Sequence, residues 1–295
     1  MIIFVVVRFI GGIEIMYKIL FPSDYFNRNK IDVELEQEYE AAIKAGFDVM
    51  LFDYSFWFES RKLVLNRDSD CDLILYRGWM MKPELYCEFE KQLKNVGCHL
   101  VVECNAYKRL HEFVHVYPII RDDTAPMMKF PLHTRMDVKF LQDTFGRFMV
   151  KDYVKSVKGS DFPVYFDSSI TQSEFDNWME KFYEYRGDLL TGGICIKKYL
   201  DLKKYGENTN EYRAFYYHNE LMMLMKSSNQ NDTCCKPPVE LINKYKMLDS
   251  PFFTIDFAEL EDGSWTIIEC GDGQVSGITD SSQTELFYKL LKEKN

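Results

Sequence analysis

The chain has 295 residues, 46% of them hydrophobic and 16% aromatic, enough to bury a core and a length that fits one large or two ordinary domains. With 36 basic and 46 acidic residues the formal charge is −10, which argues against general nucleic-acid binding by phosphate neutralisation and leaves room for a local basic pocket. The eight cysteines show no Cys-x-x-Cys pair and no zinc-like spacing, and Cys234 and Cys235 are adjacent, so free thiols in a reducing cytoplasm are expected.

The opening "MIIFVVVRFIGGIEI" is broken at Arg8 and falls short of the roughly 20 apolar residues that a membrane-spanning helix needs. It also lacks the basic start and small-residue cleavage site of a signal peptide. Met16 stands directly before "YKILFPSDYF", which reads as a first strand and a loop. Residues 1–15 are therefore expected to lie outside the fold. "DVELEQEYEAAIKAGF" has helical spacing and ends at Gly46. "DVMLFDY" and "CDLILYRGWM" read as strands, "KPELYCEFEKQLKNVG" as a helix closed by Gly97, and "HLVVEC" as a further strand. This alternation predicts a small α/β layer over residues 16–120.

Beyond the turn-rich "IIRDDTAP" the texture changes, and a second, α+β lobe is expected over 121–295, divided near 195. "RFMVKDYVKSVKGSD" reads as a strand running into a lysine-rich loop. "TQSEFDNWMEKFYEYRG" reads as a helix capped by Thr171 or Ser173. "GGICIKKYLDL" is a strand, "EYRAFYYHNELMMLM" a hairpin around His218-Asn219, "PVELINKYKML" a short helix and "TELFYKLLKEK" a closing helix.

The stretch "FFTIDFAELEDGSWTIIECGDGQ" (252–274) carries the strongest chemical signal. Asp262-Gly263 predicts a two-residue type I′ turn. Stepwise pairing from it puts Leu260 opposite Trp265, Ala258 opposite Ile267 and Asp256 opposite Glu269, with the carboxylates on one face and Cβ atoms roughly 5 Å apart. Facing like charges destabilise a sheet, so a cation between them, a shared proton or a slipped register with both acids at the solvent edge has to resolve the conflict. A hard divalent ion such as Mg²⁺, which takes one or two carboxylates plus substrate phosphates, fits the first option. Asp272 is available as a further ligand or to position water.

Cations suited to phosphate lie upstream. Lys151 ends a strand, and Lys155, Ser156 and Lys158 follow in a loop that finishes at Gly159. Such a loop can turn ammonium groups and backbone N–H groups onto an anion, or simply sit in solvent. Arg213 shares parity with Phe215 and Tyr217 and so faces a partly buried side, where it wants a phosphate or a structural acid such as Glu211. Lys198, Tyr199 and Asp201 close an apolar strand and could hold a base edge and a ribose.

In order and phrasing, "YRGWM" (76–80), "FMVKDYVKS" (148–156), "YRAF" (212–215) and "IIECGDGQVSG" (267–277) resemble the ATP-grasp superfamily, most of all a bacterial and phage branch. The likeness runs over most of the chain from Met16 onward. A fainter one points to the ATP-grasp chaperone that helps assemble a eukaryotic translation initiation factor. The resemblance implies a Rossmann-like N-terminal domain followed by a two-subdomain ATP-grasp fold, with ATP and Mg²⁺ as cofactors. It implies Lys151 on the α-phosphate or adenine side and Ser156 and Lys158 in a loop over the phosphates. Lys198 to Asp201 become the adenine and ribose hinge, Arg213 faces the γ-phosphate, and Asp256 and Glu269 hold the metal. Where many ATP-grasp enzymes have Glu-x-Asn, this chain has Glu269-Cys270-Gly271-Asp272.

The expected activity is an ADP-forming carboxylate–amine ligase that passes through an acyl phosphate. Arg213, Lys158 and Arg77 are its catalytic candidates, with Arg77 holding a substrate carboxylate or else capping a strand end. Trp79 is expected to stack on a substrate. The partners are then ATP and a carboxylate/amine substrate, with peptides and proteins among the candidates. The rival reading is an ATP-dependent protein-binding or assembly factor that ligates nothing, and a non-catalytic remnant is the third.

Overall fold

The computed structural model describes residues 17–68, 73–157, 159–227, 230 and 234–294. The expected extension over 1–15 and the loop residue Lys158 lie outside the described residues. The first lobe runs β1 (Lys18–Pro22), α1 (Glu36–Lys44), β2 (Val49–Phe52), α2 (Tyr54–Ser60), β3 (Leu73–Tyr76), α3 (Pro83–Asn95) and β4 (His99–Leu100). Its four strands are parallel in the order β2-β1-β3-β4. Gly46 and Gly97 end their helices at φ +83° and +81°, which glycine adopts without penalty.

Helices α4 (Cys104–His111) and α5 (Phe113–Ile120) follow where an extended strand and a turn-rich passage were expected. β4 stops after two residues. Tyr86 Oη donates to the Val102 carbonyl at 2.7 Å, and Glu90 accepts the Cys104 N–H at 3.3 Å in the first turn of α4. The short apolar run thus ends in a helix start. The expectation of free thiols is also corrected in part: Cys87 and Cys104 form a disulfide with Cα atoms 5.0 Å apart, within the reach of a bridge. Cys98, Cys195, Cys234, Cys235 and Cys270 are free.

The second part begins with β5 (Met127–Phe130), α6 (Val138–Phe145), β6 (Phe148–Asp152), α7 (Gln172–Arg186) and β7 (Ile194–Lys198). The three strands form an antiparallel sheet in the order β5-β7-β6, which carries the smaller lobe through Lys198, past residue 195. Thr171 caps α7 in a capping box with Glu174. A small ladder of β8 (Lys204–Tyr205) and β9 (Asn208–Thr209) leads into β10 (Glu211–Tyr217), β11 (Glu220–Lys226), α8 (Val239–Lys244), β12 (Phe252–Glu259), β13 (Trp265–Asp272) and α9 (Thr284–Glu293). The large sheet is antiparallel in the order β11-β10-β12-β13. His218 and Asn219 form the tight β10–β11 turn at φ +47° and +66°, as their type I′ chemistry requires.

The large sheet serves two cores. Ala214, Tyr216, Phe253, Ile255 and Phe257 pack with α5 and α8 residues. Phe215, Tyr217 and Phe252 instead join the first-lobe core, together with Phe287, Tyr288 and Leu291 of α9.

Arg77, at the end of β3, sits in that seam. Its guanidinium is bidentate to Glu38 through Nε and Nη2 and donates from Nη1 to the carbonyls of Gly273 (2.6 Å) and Ser276 (3.0 Å). The residue is 2% exposed. With every donor committed, Arg77 ties the first lobe to the loop after β13. The expected grip on a substrate carboxylate gives way to a structural one. Trp79 donates from its indole to Asp32 at 2.9 Å and is half-exposed.

Removing one partner of a buried ion pair leaves the other charge uncompensated. Arg77→Ala is expected to lower unfolding free energy in urea by ~3–5 kcal/mol, and Arg77→Lys to restore little, since an ammonium cannot span Glu38 and two carbonyls.

Candidate functional site

The β12–β13 turn is not the two-residue loop that Asp262-Gly263 suggests. Leu260 N–H donates to Ser264 O and Gly263 N–H to Leu260 O, both at 2.8 Å. Gly263 has φ +83°, while Asp262 is not among the positive-φ residues. That is a three-residue loop with glycine in the left-handed position. It shifts the pairing by one, so Glu259 faces Trp265 and Phe257 faces Ile267. A β-bulge between Asp256 and Phe257 then absorbs one residue of β13, Ile268, and Asp256 again stands opposite Glu269. The turn and the bulge offset each other. Without the bulge, Asp256 would face Ile268 and Glu269 would point through the sheet.

Each carboxylate meets cations. Arg213 lies opposite Asp256 across β10 and β12 and is bidentate to it at 2.8 and 2.7 Å, with Nη1 donating to Gly277 O at 2.9 Å. Among the alternatives for Arg213, the structure makes Asp256 the partner. Glu269 Oε1 lies 3.5 Å from Lys151 Nζ and 3.7 Å from Lys155 Nζ. Burial alone would raise its pKa, but Lys151, Lys155 and Arg213 outweigh it and draw the carboxyl down to about 2.

The lysines are positioned by the smaller sheet. In β6 the alternation buries Phe148 and Val150 in their own core and turns Met149 and Lys151 to a cleft they line. Asp152, next in line, is 1% exposed. Its Oδ1 accepts the N–H groups of Val154 and Lys155 at 2.7 Å, and its Oδ2 takes Arg186 Nε at 2.9 Å and Thr191 N–H at 3.1 Å. This turn directs Lys155 toward Glu269. Asp152 was missed in the sequence, although an acid two residues before a loop lysine is the mark of an Asx turn.

Lys197 was missed too, with its neighbour Lys198 taken instead. Ile194 and Ile196 point into the core, so the same alternation sends Lys197 to the other side. There its Nζ donates to the Ile268 carbonyl at the bulge, 2.8 Å away, and lies 4.2 Å from the Phe113 ring centroid. Burial, then Lys151, lowers Lys197 to about 7.

These residues line two connected spaces. A cleft of about 620 Å³ between the sheets is lined by Lys151, Lys155, Ser156, Lys197, Lys198, Tyr199, Asp201 and Glu269, among others. Tyr199 stacks near Tyr165 with Arg147 over both rings, and Arg147 pairs with Asp201. A smaller chamber of about 200 Å³ is lined by Lys155, Arg213, Asp256, Glu269 and Asp272, with Met80, His111 and Ser276 among its walls. Lys155 and Glu269 border both spaces; Arg77 borders neither. Asp272 pairs opposite Phe253, on the reverse of the sheet from Glu269. Among the described residues no group of three or more His, Cys, Asp or Glu side chains gathers as a metal cluster. The structure brings together the pair Asp256 and Glu269, not the trio.

Known structures share this arrangement. D-cycloserine synthetase DcsG aligns with a TM-score of 0.61 at 12% identity, covering 94% of this chain and 99% of that one. The ATP-grasp ligase PsnB, complexed with a phosphomimetic variant of its minimal precursor, Mg and ADP, aligns at 0.60 and 8% identity over 96% and 100%. The D-alanine–D-alanine ligase of Bacillus anthracis, complexed with ATP, aligns at 0.59 and 12% identity over 94% and 95%. No curated protein matches the chain. At these identities the likeness shows the fold, and the fold is ATP-grasp. Residues 140–291 match the sequence model of an ATP-grasp domain, clade family 3, more than half of the 295 residues, and the chain belongs to that ATP-grasp family.

Proposed function

We propose that the protein is an ATP- and Mg²⁺-dependent ligase of carboxylate–amine type that forms an acyl phosphate and releases ADP. The observation that carries this reading is the opposed pair Asp256 and Glu269 at the junction of cleft and chamber, with Lys151 and Lys155 within 3.7 Å of Glu269. The pair offers the hard oxygen donors that Mg²⁺ takes, and nucleotide phosphates would complete its shell. Bound there, the ion would neutralise charge on phosphate oxygens.

The nucleotide belongs in the larger cleft, its base and ribose toward Lys198, Tyr199 and Asp201 and its phosphates toward Lys151, Lys155 and Ser156. Lys158, in the same loop of the sequence, is assigned to the phosphates with them. In the first step a substrate carboxylate oxygen bonds to the γ-phosphorus while the bond to the β–γ bridging oxygen breaks, its electrons leaving with ADP. In the second an amine attacks the acyl carbon, phosphate leaves with the bonding pair, and the amine proton passes to phosphate or solvent. Lys155 and Arg213 are fixed cations at the junction, so their contribution is electrostatic and needs no reorganisation. Among the described residues no helix is long and apolar enough to cross a membrane, and the five free cysteines support a cytoplasmic location.

Lys151→Ala is expected to weaken binding of MgATP about tenfold or more in calorimetry, the scale of one lost charge-assisted contact. Unchanged affinity would remove Lys151 from the site. Glu269→Gln should abolish ADP release stimulated by a carboxylate and an amine. If the unaltered protein binds MgATP and captures a protein without such release, the assembly-factor reading replaces this one.

Glu269 also sets a pH dependence. Its pKa falls from the ordinary 4.5 to about 2, so its stabilisation is complete above pH 4.5 and is lost as pH falls toward 2. In acid titrations followed by circular dichroism, Glu269→Gln should lose that segment of the curve and keep the rest.

A further inference from the structure

The smaller chamber holds polar groups that the phosphate chemistry does not use, and they differ in sign from those that it does. Asp272 lines it, is 0% exposed, and leaves Oδ2 buried without a hydrogen-bond partner. Its Oδ1 accepts the Gln274 N–H at 3.0 Å and Gln274 Nε2 at 3.3 Å. Gln274 in turn donates to Tyr86 Oη at 2.7 Å and accepts the Tyr76 N–H at 3.2 Å. The carboxyl is thus fixed by one oxygen while the other waits. A buried orphan oxygen costs about 1–3 kcal/mol and persists in a native protein for a reason. Burial pushes this carboxyl up to about 7, so a cation is what the group lacks.

His111 stands in the same wall. Its ring stacks on Tyr107, centroids 4.9 Å apart, and Tyr107 stacks on Tyr86 at 3.8 Å. Burial, then the Lys155 charge, lowers it to about 4, so the imidazole is neutral at pH 7. Across the chamber are Lys155 and Arg213, with the hydroxyls of Thr254 and Ser276 2.8 Å apart between. One side therefore suits an anion and the other a cation. The volume of about 200 Å³ falls below the roughly 300–1,000 Å³ of pockets for drug-sized ligands.

We infer that the chamber binds a small zwitterionic amino acid as the carboxylate substrate, its carboxylate toward Lys155 and Arg213 and its ammonium on the Asp272 carboxylate. This rests on the ligase reading and goes further by naming the substrate class and the residue that selects it. Asp272 then takes an ammonium where the sequence offered it as a metal ligand. A carboxylic acid of the same size without the amine leaves that oxygen unpaired, which is the stronger kind of discrimination a site can make.

The test is calorimetric titration of the full chain, saturated with Mg²⁺ and a non-hydrolysable ATP analogue. The probes are glycine, alanine and serine (the last two in both chiralities), propionate and phenylalanine. At least one small amino acid should bind roughly tenfold or more tighter than propionate, and phenylalanine should not bind. Asp272→Asn keeps the Oδ1 acceptor and should erase the advantage over propionate while leaving propionate unchanged. Should that variant not fold, Gly277→Leu serves instead. A Cβ at Gly277 meets nothing within 4 Å, so the melting temperature should hold while amino-acid affinity falls by a similar factor.

Propionate binding as well as every amino acid, a preference surviving Asp272→Asn, or no small amino acid binding the analogue-loaded protein would each overturn the inference. Failure of the wild-type chain to bind the ATP analogue would instead strike the ligase reading itself.

Discussion

Two carboxylates held face to face across β12 and β13 set the terms for the surrounding structure. Such a pair repels unless cations are brought to it, and they come from two different sheets. Arg213 reaches Asp256 from β10 within the large sheet, while Lys151 and Lys155 reach Glu269 from β6 and the loop beyond it. The electrostatic need of one sheet is thus met by its neighbour, and the lysine-lined wall of the cleft is held against the acid-lined wall. Lys197 adds a neutral-capable tie, its ammonium resting on the carbonyl that the bulge at Ile268 presents. The bulge therefore does two jobs: it restores the register that opposes the acids, and it turns out the carbonyl that joins the sheets.

The chamber beyond the pair depends on a different interaction. The loop after β13 would be a free surface turn were it not for Arg77, which clamps Gly273 and Ser276 from the first lobe while Glu38 and Tyr288 hold the arginine. Gln274 enters the same lobe and bonds Tyr76 and Tyr86. Residues that line the chamber are consequently fixed by groups from three places in the chain: α1, β3 and α9. An arginine so buried is a positioning element by geometry, and its distance from the chemistry is the reason it can be rigid.

Much of this was legible in the sequence, and what was not has identifiable causes. The alternation in "RFMVKD" and in "EYRAFYY" placed Lys151 and Arg213 on the right faces because period two survives wherever one side of a strand is buried. The opposition of Asp256 and Glu269 was read correctly from a wrong turn, since the three-residue loop and the bulge displace the pairing by equal and opposite amounts. Neither can be seen in "LEDGSW" alone, where type I′ and the longer loop share the same Asp-Gly signal. The helices at 104–120 were hidden because apolar runs such as "HLVVEC" do not distinguish a strand from a helix start. Arg77 and the Cys87–Cys104 bridge depend on partners 39 and 17 residues away, and local spacing carries no information about such contacts.

The charge layout gives the site a further property on the proposed reading. Counting the groups at the junction, Asp256 and Glu269 face Lys151, Lys155 and Arg213, so cations exceed anions by one, and Lys197 is held near neutrality by burial and by Lys151. A polyanion entering the cleft would compete with Glu269 for both lysines, while a divalent cation would compete with the lysines and Arg213 for the carboxylates. Either ligand alone must break ion pairs already present. Together they exchange partners, each releasing the groups the other needs, so the two should bind more tightly in company than apart. The same field that would draw phosphates to Lys151 would favour protonation of Lys197, because stabilising an anion beside an amine and raising that amine's pKa are one free-energy change seen from two sides.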